Sequence, residues 1–362
     1  MDKIEALYIH IPFCDHICTY CDFCKRYNYS NIVDNYLNAL ANDIKDNYHG
    51  EKLKTIYIGG GTPSSLNTCE LTKLMEIVKL LNFDISYEFT IECNPENITE
   101  EKLILLKKYG VNRISLGVES TNTKYLEYLD RKHDYKLVKE KVKLIKKYFN
   151  NINVDLIYAL PNETLSDLKE DLSNIVNLDV NHVSTYSLEI HDNTILGIRK
   201  TKSINEEIDS QMYNVICECL KENGFNHYEI SNFCKDNTYS KHNMVYWNNN
   251  SYYGFGLGAS GYVNNIRFDN TRSMVNYIKG SRILNKEKLT KKDKISYELI
   301  LGFRLINGIN KSNFKKKYGV NLIDQYNIKE LIKSGLLVDD GLNIKVCYDK
   351  LYIENSILEN FV

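Results

Sequence analysis

The chain has 362 residues and a hydrophobic fraction of 43%, enough for a barrel-sized domain with one or two smaller ones and incompatible with wholesale disorder. Lysine and arginine number 46 against 47 acidic residues, a net charge of −1, which argues against a protein whose main task is to coat nucleic acid. The charged start Met1-Asp2-Lys3-Ile4-Glu5 leads into no signal-peptide-like apolar run, and no stretch approaches the ~18 apolar residues that span a bilayer. A reducing cytoplasmic setting is therefore expected, in which ten cysteines are thiols or metal ligands rather than a disulfide framework.

Residues 6–11 read as a short strand of β-branched and aromatic side chains ending at Pro12. Four cysteines follow within eleven residues: Cys14, Cys18, Cys21 and Cys24. Ile32, Val33, Tyr36, Leu37, Leu40 and Ile44 recur at helical spacing and predict a helix over 32–48. A second strand over 55–58 runs into Gly59-Gly60-Gly61-Thr62-Pro63-Ser64, and a helix follows over 70–81. Further strand–helix pairs are predicted at 87–93 and 99–109, 112–118 and 135–149, 153–158 and 165–178, and 182–190 and 205–223. From residue 225 aromatics, Asn and Gly dominate; a helical segment begins near 290, and 336–344 reads as a hairpin turning at Asp340-Gly341.

Six strands alternating with helices predict an α/β fold of parallel βα units with right-handed crossovers, covered on both faces as continuous apolar strands suggest. A closed barrel has roughly eight such units, so the expectation is an incomplete (β/α)6 barrel over 1–224. An aromatic and Gly-rich extension (225–285) and a C-terminal α+β region with a winged-helix-like domain (286–362) complete it. Chemistry belongs at the C-terminal ends of the strands, where the cysteines, the glycines and Glu92 fall.

The spacing C-x3-C-x2-C lets thiolates converge in one loop; by itself it suits either a zinc site or an iron–sulfur cluster. The remaining cysteines (Cys69, Cys93, Cys217, Cys219, Cys234, Cys347) are scattered and read as packing residues. Three thiolates leave one iron of a [4Fe–4S] cluster open, and a glycine run at a neighbouring strand end admits a small zwitterion close to the backbone.

Together with Tyr8-Ile9-His10-Ile11-Pro12-Phe13-Cys14, Thr90-Ile91-Glu92-Cys93-Asn94-Pro95, residues 110–118 and 155–161, and His242-Asn243-Met244-Val245-Tyr246-Trp247, these features resemble the radical S-adenosylmethionine superfamily. The resemblance is to the branch that holds oxygen-independent coproporphyrinogen III oxidases and the HemW heme chaperones, and runs from about residue 5 to the C-terminus. It implies that Cys14, Cys18 and Cys21 bind a [4Fe–4S] cluster whose open iron takes the amino and carboxylate groups of S-adenosylmethionine. Tyr8, Tyr20, Gly60, Gly61, Thr62, Glu92, Arg131 and Asp155 match the family's cofactor contacts. At Glu119 the family usually has Gln; an ionised Glu cannot donate, so a hydrogen bond must change or Glu119 must be protonated.

Oxidases of this branch typically carry a cysteine two residues after the third ligand, where this chain has Phe23, and a long N-terminal extension; here the cluster loop begins at residue 14. The implied function is a cytosolic chaperone that binds S-adenosylmethionine and heme and delivers heme to client hemoproteins, with an electron donor serving the cluster. His242, Tyr246 and Trp247 are the implied heme contacts, since His ligates iron and aromatic rings stack on porphyrins. Reductive cleavage of the cofactor is chemically available at such a cluster. The rival function is oxidative decarboxylation of coproporphyrinogen III. A third is a non-enzymatic iron–sulfur or zinc protein binding nucleic acid or membrane through residues 279–317, which carry twelve Lys and Arg against three acids; a solvated helical face explains that segment better.

Overall fold

The computed structural model describes residues 3–362; Met1 and Asp2, part of the charged start, lie outside them. β1 (Ala6–Ile11) stops at Pro12, and a two-stranded sheet, β2 (Phe13–Cys14) against β3 (Arg26–Tyr27), brackets the cysteine loop. α1 (Ser30–Asn47) buries Val33, Tyr36, Leu37, Leu40 and Ile44 along one face. Next come β4 (Lys52–Gly60) and α2 (Thr68–Val78), which opens on a reciprocal cap: Asn67 accepts from the Glu70 amide and Glu70 from the Asn67 amide. β5 (Asn82–Cys93) and α3 (Glu100–Lys108) follow, then β6 (Arg113–Glu119), the short α4 (Thr123–Tyr128) and α5 (Tyr135–Ile145). The series closes with β7 (Asn151–Tyr158), α6 (Leu165–Asn177), β8 (His182–Ser187), α7 (Ile195–Ile198) and α8 (Glu206–Glu222). β5 begins five residues before the expected 87: Phe83, Ile85 and Tyr87 already alternate there with polar residues, Asn82 and Phe83 pair with Lys52 and Leu53, and Ile85 is left exposed outside the core.

The large sheet has nine strands, not six. β9 (Asn226–Glu229) and β10 (Asn232–Cys234) form an antiparallel ribbon on β8, and after α9 (Lys241–Trp247) the strand β11 (Tyr253–Phe255) adds in parallel to β1. The order β11-β1-β4-β5-β6-β7-β8-β10-β9 has two free ends, so the barrel stays open. A meander of β12 (Ser260–Val263), β13 (Ile266–Asn270) and β14 (Ile283–Lys288), interrupted by α10 (Met274–Ile278), completes the extension.

The strands are two-faced rather than continuously apolar. Ile56, Ile58, Phe89, Ile91, Ile114 and Leu116 are fully buried in the core beneath the helices, each contributing about 1.5–3 kcal/mol of burial. The alternate positions Tyr57, Thr90, Glu92, Arg113, Ser115 and Asp155 project to the concave face. Covering both faces with apolar contacts was the wrong expectation, since the inside of this open barrel is a polar trough.

The C-terminal unit comprises α11 (Lys291–Gly302), β15 (Ile309–Asn310), α12 (Lys311–Tyr318), α13 (Ile328–Lys333), β16 (Leu337–Asp339) and β17 (Asn343–Val346), with sheet order β15-β17-β16, a winged-helix-like arrangement. Gly341 takes the left-handed φ of +95° that the hairpin turn needs, and Asp340 accepts from the Asn343 amide at 2.8 Å. Backbone bonds Ile230 N→Arg304 O and Ile306 N→Tyr228 O, both 3.1 Å, stitch this unit to β9. No helix among the described residues is long and apolar enough to cross a membrane.

Candidate functional site

Cys14 is fixed by backbone on both sides. It pairs with Tyr27 across the β2–β3 ladder, Gly61 N donates to Ile11 O and Thr62 N to Phe13 O, both at 2.8 Å, and the Thr62 hydroxyl donates to Cys14 Sγ at 3.4 Å. Gly61 is obligatory here: a Cβ would lie 2.9 Å from Cys14 Sγ and 2.8 Å from the Pro12 carbonyl carbon. Cys18 and Cys21 sit half-buried on the intervening loop, which Thr19 N→Leu129 O (3.2 Å) ties to the end of α4. Arg131 donates to Cys18 Sγ at 3.5 Å, and the Lys25 ammonium bonds the Cys21 carbonyl. Burial pushes the Cys14 thiol up to about 12 and Cys21 up to about 11.

Among the described residues no group of three such side chains closes on a single ion. A four-iron cube is wider than one ion, and its thiolates stand correspondingly further apart. The donor set of three thiols, a cation against one of them and a glycine cradle beside another suits a cluster with one open iron. Cys24 is packed differently from these three: it is buried in the core, a Cβ on Gly258 would meet its Cβ at 2.7 Å, and its carbonyl accepts from His10 Nε2 at 2.7 Å.

Within the trough and at its rim three carboxylates gather. Glu92 accepts from the Tyr57 hydroxyl at 2.8 Å and the Gly60 amide at 2.9 Å; burial pushes it up to about 7 against both bonds. Glu119, at a left-handed φ of +65°, is pushed by burial to about 7, opposed by Arg131, and Tyr20 hydrogen-bonds it. Its protonated form, which can donate as Gln does, thus lies within reach at neutral pH. Asp155 accepts from Asn153 Nδ2 at 2.8 Å, and burial moves it upward as well. Arg131 is the buried cation among them, bonding Gly117 O at 2.6 Å and Asn94 Oδ1 at 3.1 Å while its Nε has no partner. Tyr8 stands at the β1 end of the trough with its hydroxyl 3.0 Å from His10 Nδ1.

Sequence reasoning missed Tyr57, which holds Glu92, and Arg113, 2% exposed with an unpartnered Nε on the trough floor. Their signal is phase: each lies an even number of residues from an inward-facing neighbour on its own or the adjoining strand.

His242, Tyr246 and Trp247 lie together on α9. Glu88 accepts from the Lys241 and His242 amides at 3.1 and 3.0 Å, and Ser240 caps the helix through the Asn243 amide. The His242 ring is 1% exposed, with Nδ1 2.9 Å from the Thr55 hydroxyl and Nε2 2.7 Å from the Tyr246 hydroxyl, and burial lowers it to about 3. Both ring nitrogens are engaged, so iron ligation by His242 requires release of one of these hydroxyls. Trp247 faces Arg304, whose guanidinium lies 5.9 Å from its ring centre, and its indole N–H is unpartnered. Of the basic residues in 279–317, Arg282, Arg304, Lys311 and Lys317 are paired with Asp43, Glu354, Asp339 and Glu298.

Comparison with known proteins gives matches to the radical SAM superfamily over residues 8–175 and to the HemN C-terminal domain over 289–346. The chain is 38% identical to the heme chaperone HemW of Lactococcus lactis, covering 100% of this chain and 98% of that one. It is 36% identical to the Bacillus subtilis heme chaperone HemW, with 99% of both chains covered. The solved structure of coproporphyrinogen III oxidase (HemN) from Escherichia coli, a radical SAM enzyme, shares the fold with a TM-score of 0.88 at 21% identity, over 99% of this chain and 90% of that one.

Proposed function

Because the chain belongs to the HemW family of heme chaperones within the radical SAM superfamily, we propose that it binds heme and hands it to client hemoproteins, using a cluster and S-adenosylmethionine held at the mouth of the trough. Cys14, Cys18 and Cys21 would hold the [4Fe–4S] cluster, which when bound and reduced by an external donor supplies the electron for reductive cleavage of the sulfonium. The chain's own residues bind and orient. Gly60, Gly61 and Thr62 present backbone close to Cys14, Arg131 meets the cofactor's carboxylate, and Glu92 suits its ammonium. Asp155 and Glu119, with Tyr8 and Tyr20 alongside, suit hydroxyls of the nucleoside.

The observation that carries this reading is Arg131: one buried guanidinium touches Cys18 Sγ and the strand-end carbonyl of Gly117 and keeps an unused N–H. A cation so placed joins the thiol loop to an anion-binding position. His242, Tyr246 and Trp247 are proposed as the heme contacts, with the two hydroxyl bonds of His242 setting its ring.

The test is anaerobic reconstitution with iron and sulfide, then heme titration of wild type and His242→Ala, transfer to an apo-hemoprotein, and incubation with coproporphyrinogen III. Expected are about four irons per chain lost in a Cys14/Cys18/Cys21→Ala triple variant, saturable heme binding, transfer, and no protoporphyrinogen. Protoporphyrinogen formation, or absence of both heme binding and transfer, overturns the reading; unchanged heme spectra in His242→Ala remove His242 alone.

A further inference from the structure

Tyr246, whose hydroxyl bonds His242, also lines a cavity of about 200 Å³ together with Asn249, Asn250, Tyr252, Arg267 and Leu301. It is walled by the α9 region, β13 and α11, and none of its lining side chains is acidic. Arg267 is its only cation. Its guanidinium stacks 3.9 Å from the Tyr297 ring centre and 4.7 Å from that of Tyr262, and it donates to Asn249 Oδ1 at 2.8 Å. Its Nε is buried without a partner. Unlike Arg282 and Arg304, which pair with Asp43 and Glu354, Arg267 forms no ion pair among the described residues. Glu287 faces it across the β13–β14 ladder but is exposed and accepts from the Tyr297 hydroxyl at 3.4 Å. Two aromatic faces hold the guanidinium plane in place before any ligand arrives, so little ordering is lost when a carboxylate docks on it.

The other walls suit a flat ring. Tyr246 and Tyr252 meet edge to face at 4.6 Å, and Leu301 adds an apolar surface. The volume accommodates on the order of ten non-hydrogen atoms at interior packing density. That is the size of one pyrrole with a propionate arm, and far less than a whole macrocycle.

We propose that this cavity is a carboxylate subsite for heme, taking one propionate-bearing pyrrole edge on Arg267 while the rest of the macrocycle lies outside it. This rests on the heme-binding function proposed above and adds to it a determinant outside the His242–Trp247 motif.

The test titrates the full-length reconstituted protein with heme and with heme dimethyl ester, in which both propionates are masked. Wild type should bind heme at least about tenfold more tightly than the diester, the scale of a charge-assisted hydrogen bond. Arg267→Leu should lose that preference while keeping its affinity for the diester, and Arg267→Lys should restore part of it. Equal wild-type affinity for heme and diester overturns the subsite whether or not any variant folds, as does unchanged discrimination in a folded Arg267→Leu. Absence of binding of either ligand to wild type defeats the heme-chaperone reading itself, whereas heme binding insensitive to esterification defeats only the subsite.

Discussion

Glu163, in the loop after β7, shows what this interior does to a carboxyl group that the proposed function does not use. It is 4% exposed, its Oε2 accepts from the Leu160 amide at 2.9 Å, its Oε1 has no partner, and burial pushes it up to about 8. Below the unfolded value near 4.5 both states are protonated. Between there and about 8 only the unfolded chain gives up the proton, so stability falls as pH rises through that window. Glu163→Gln should therefore match wild type near pH 4 and exceed it by about 1–3 kcal/mol at pH 8, read from urea midpoints at the two pH values; a constant difference would refute this. Gly60 makes a second case. At φ +119° its added Cβ would sit 2.6 Å from the His10 ring, itself clamped by Tyr8 and the Cys24 carbonyl. Gly60→Ala should cost more than about 2 kcal/mol, against about 1 for Gly50→Ala, where φ is +88° but nothing lies within 4 Å. Residues carrying chemistry at motif spacing, such as Cys14 or Glu92, are legible in the sequence because their identity is the signal. Tyr57 and Arg113 are not, because Tyr and Arg occur everywhere and only their strand phase points inward.

At the scale of elements, α9 depends on a residue from another strand. Glu88 on β5 takes two amides of its first turn, and is 4% exposed. Glu88→Ala should leave those donors buried and unpaired, costing about 2 kcal/mol or more, and should disturb the His242–Tyr246 bond, visible as altered heme spectra. Retention of both stability and spectrum would show that Ser240 alone suffices as the cap. The six parallel strands and their long helices could be read from periodicity because each spans several turns or alternations. β9, β10 and β11 could not: three or four residues give no period, and what makes them strands is the unsatisfied edge of β8 or β1 beside them.

Over the whole molecule, one continuous core runs from Ile4 to Phe361 and includes Leu299, Phe303 and Phe314 of the C-terminal unit. With backbone bonds joining that unit to β9, the chain should unfold in a single calorimetric transition. Removing 289–362 should expose that core face and yield an aggregating barrel, and two resolved transitions would argue against the coupling. The sequence's shift of composition near 225 suggests a separate extension, yet 225–285 supplies both margins of the barrel sheet, a role that depends on tertiary pairing and leaves no local mark.

The polar trough behind an apolar convex face also has a consequence for how the sequence can vary. Along β4 to β8, neighbouring positions answer to different demands: Ile56 and Ile58 to volume, Tyr57 between them to hydrogen bonding with Glu92. A saturation-substitution screen scored once for soluble yield and once for heme transfer should split these strands into two interleaved combs. One set of teeth would be lost in the first score, the other only in the second.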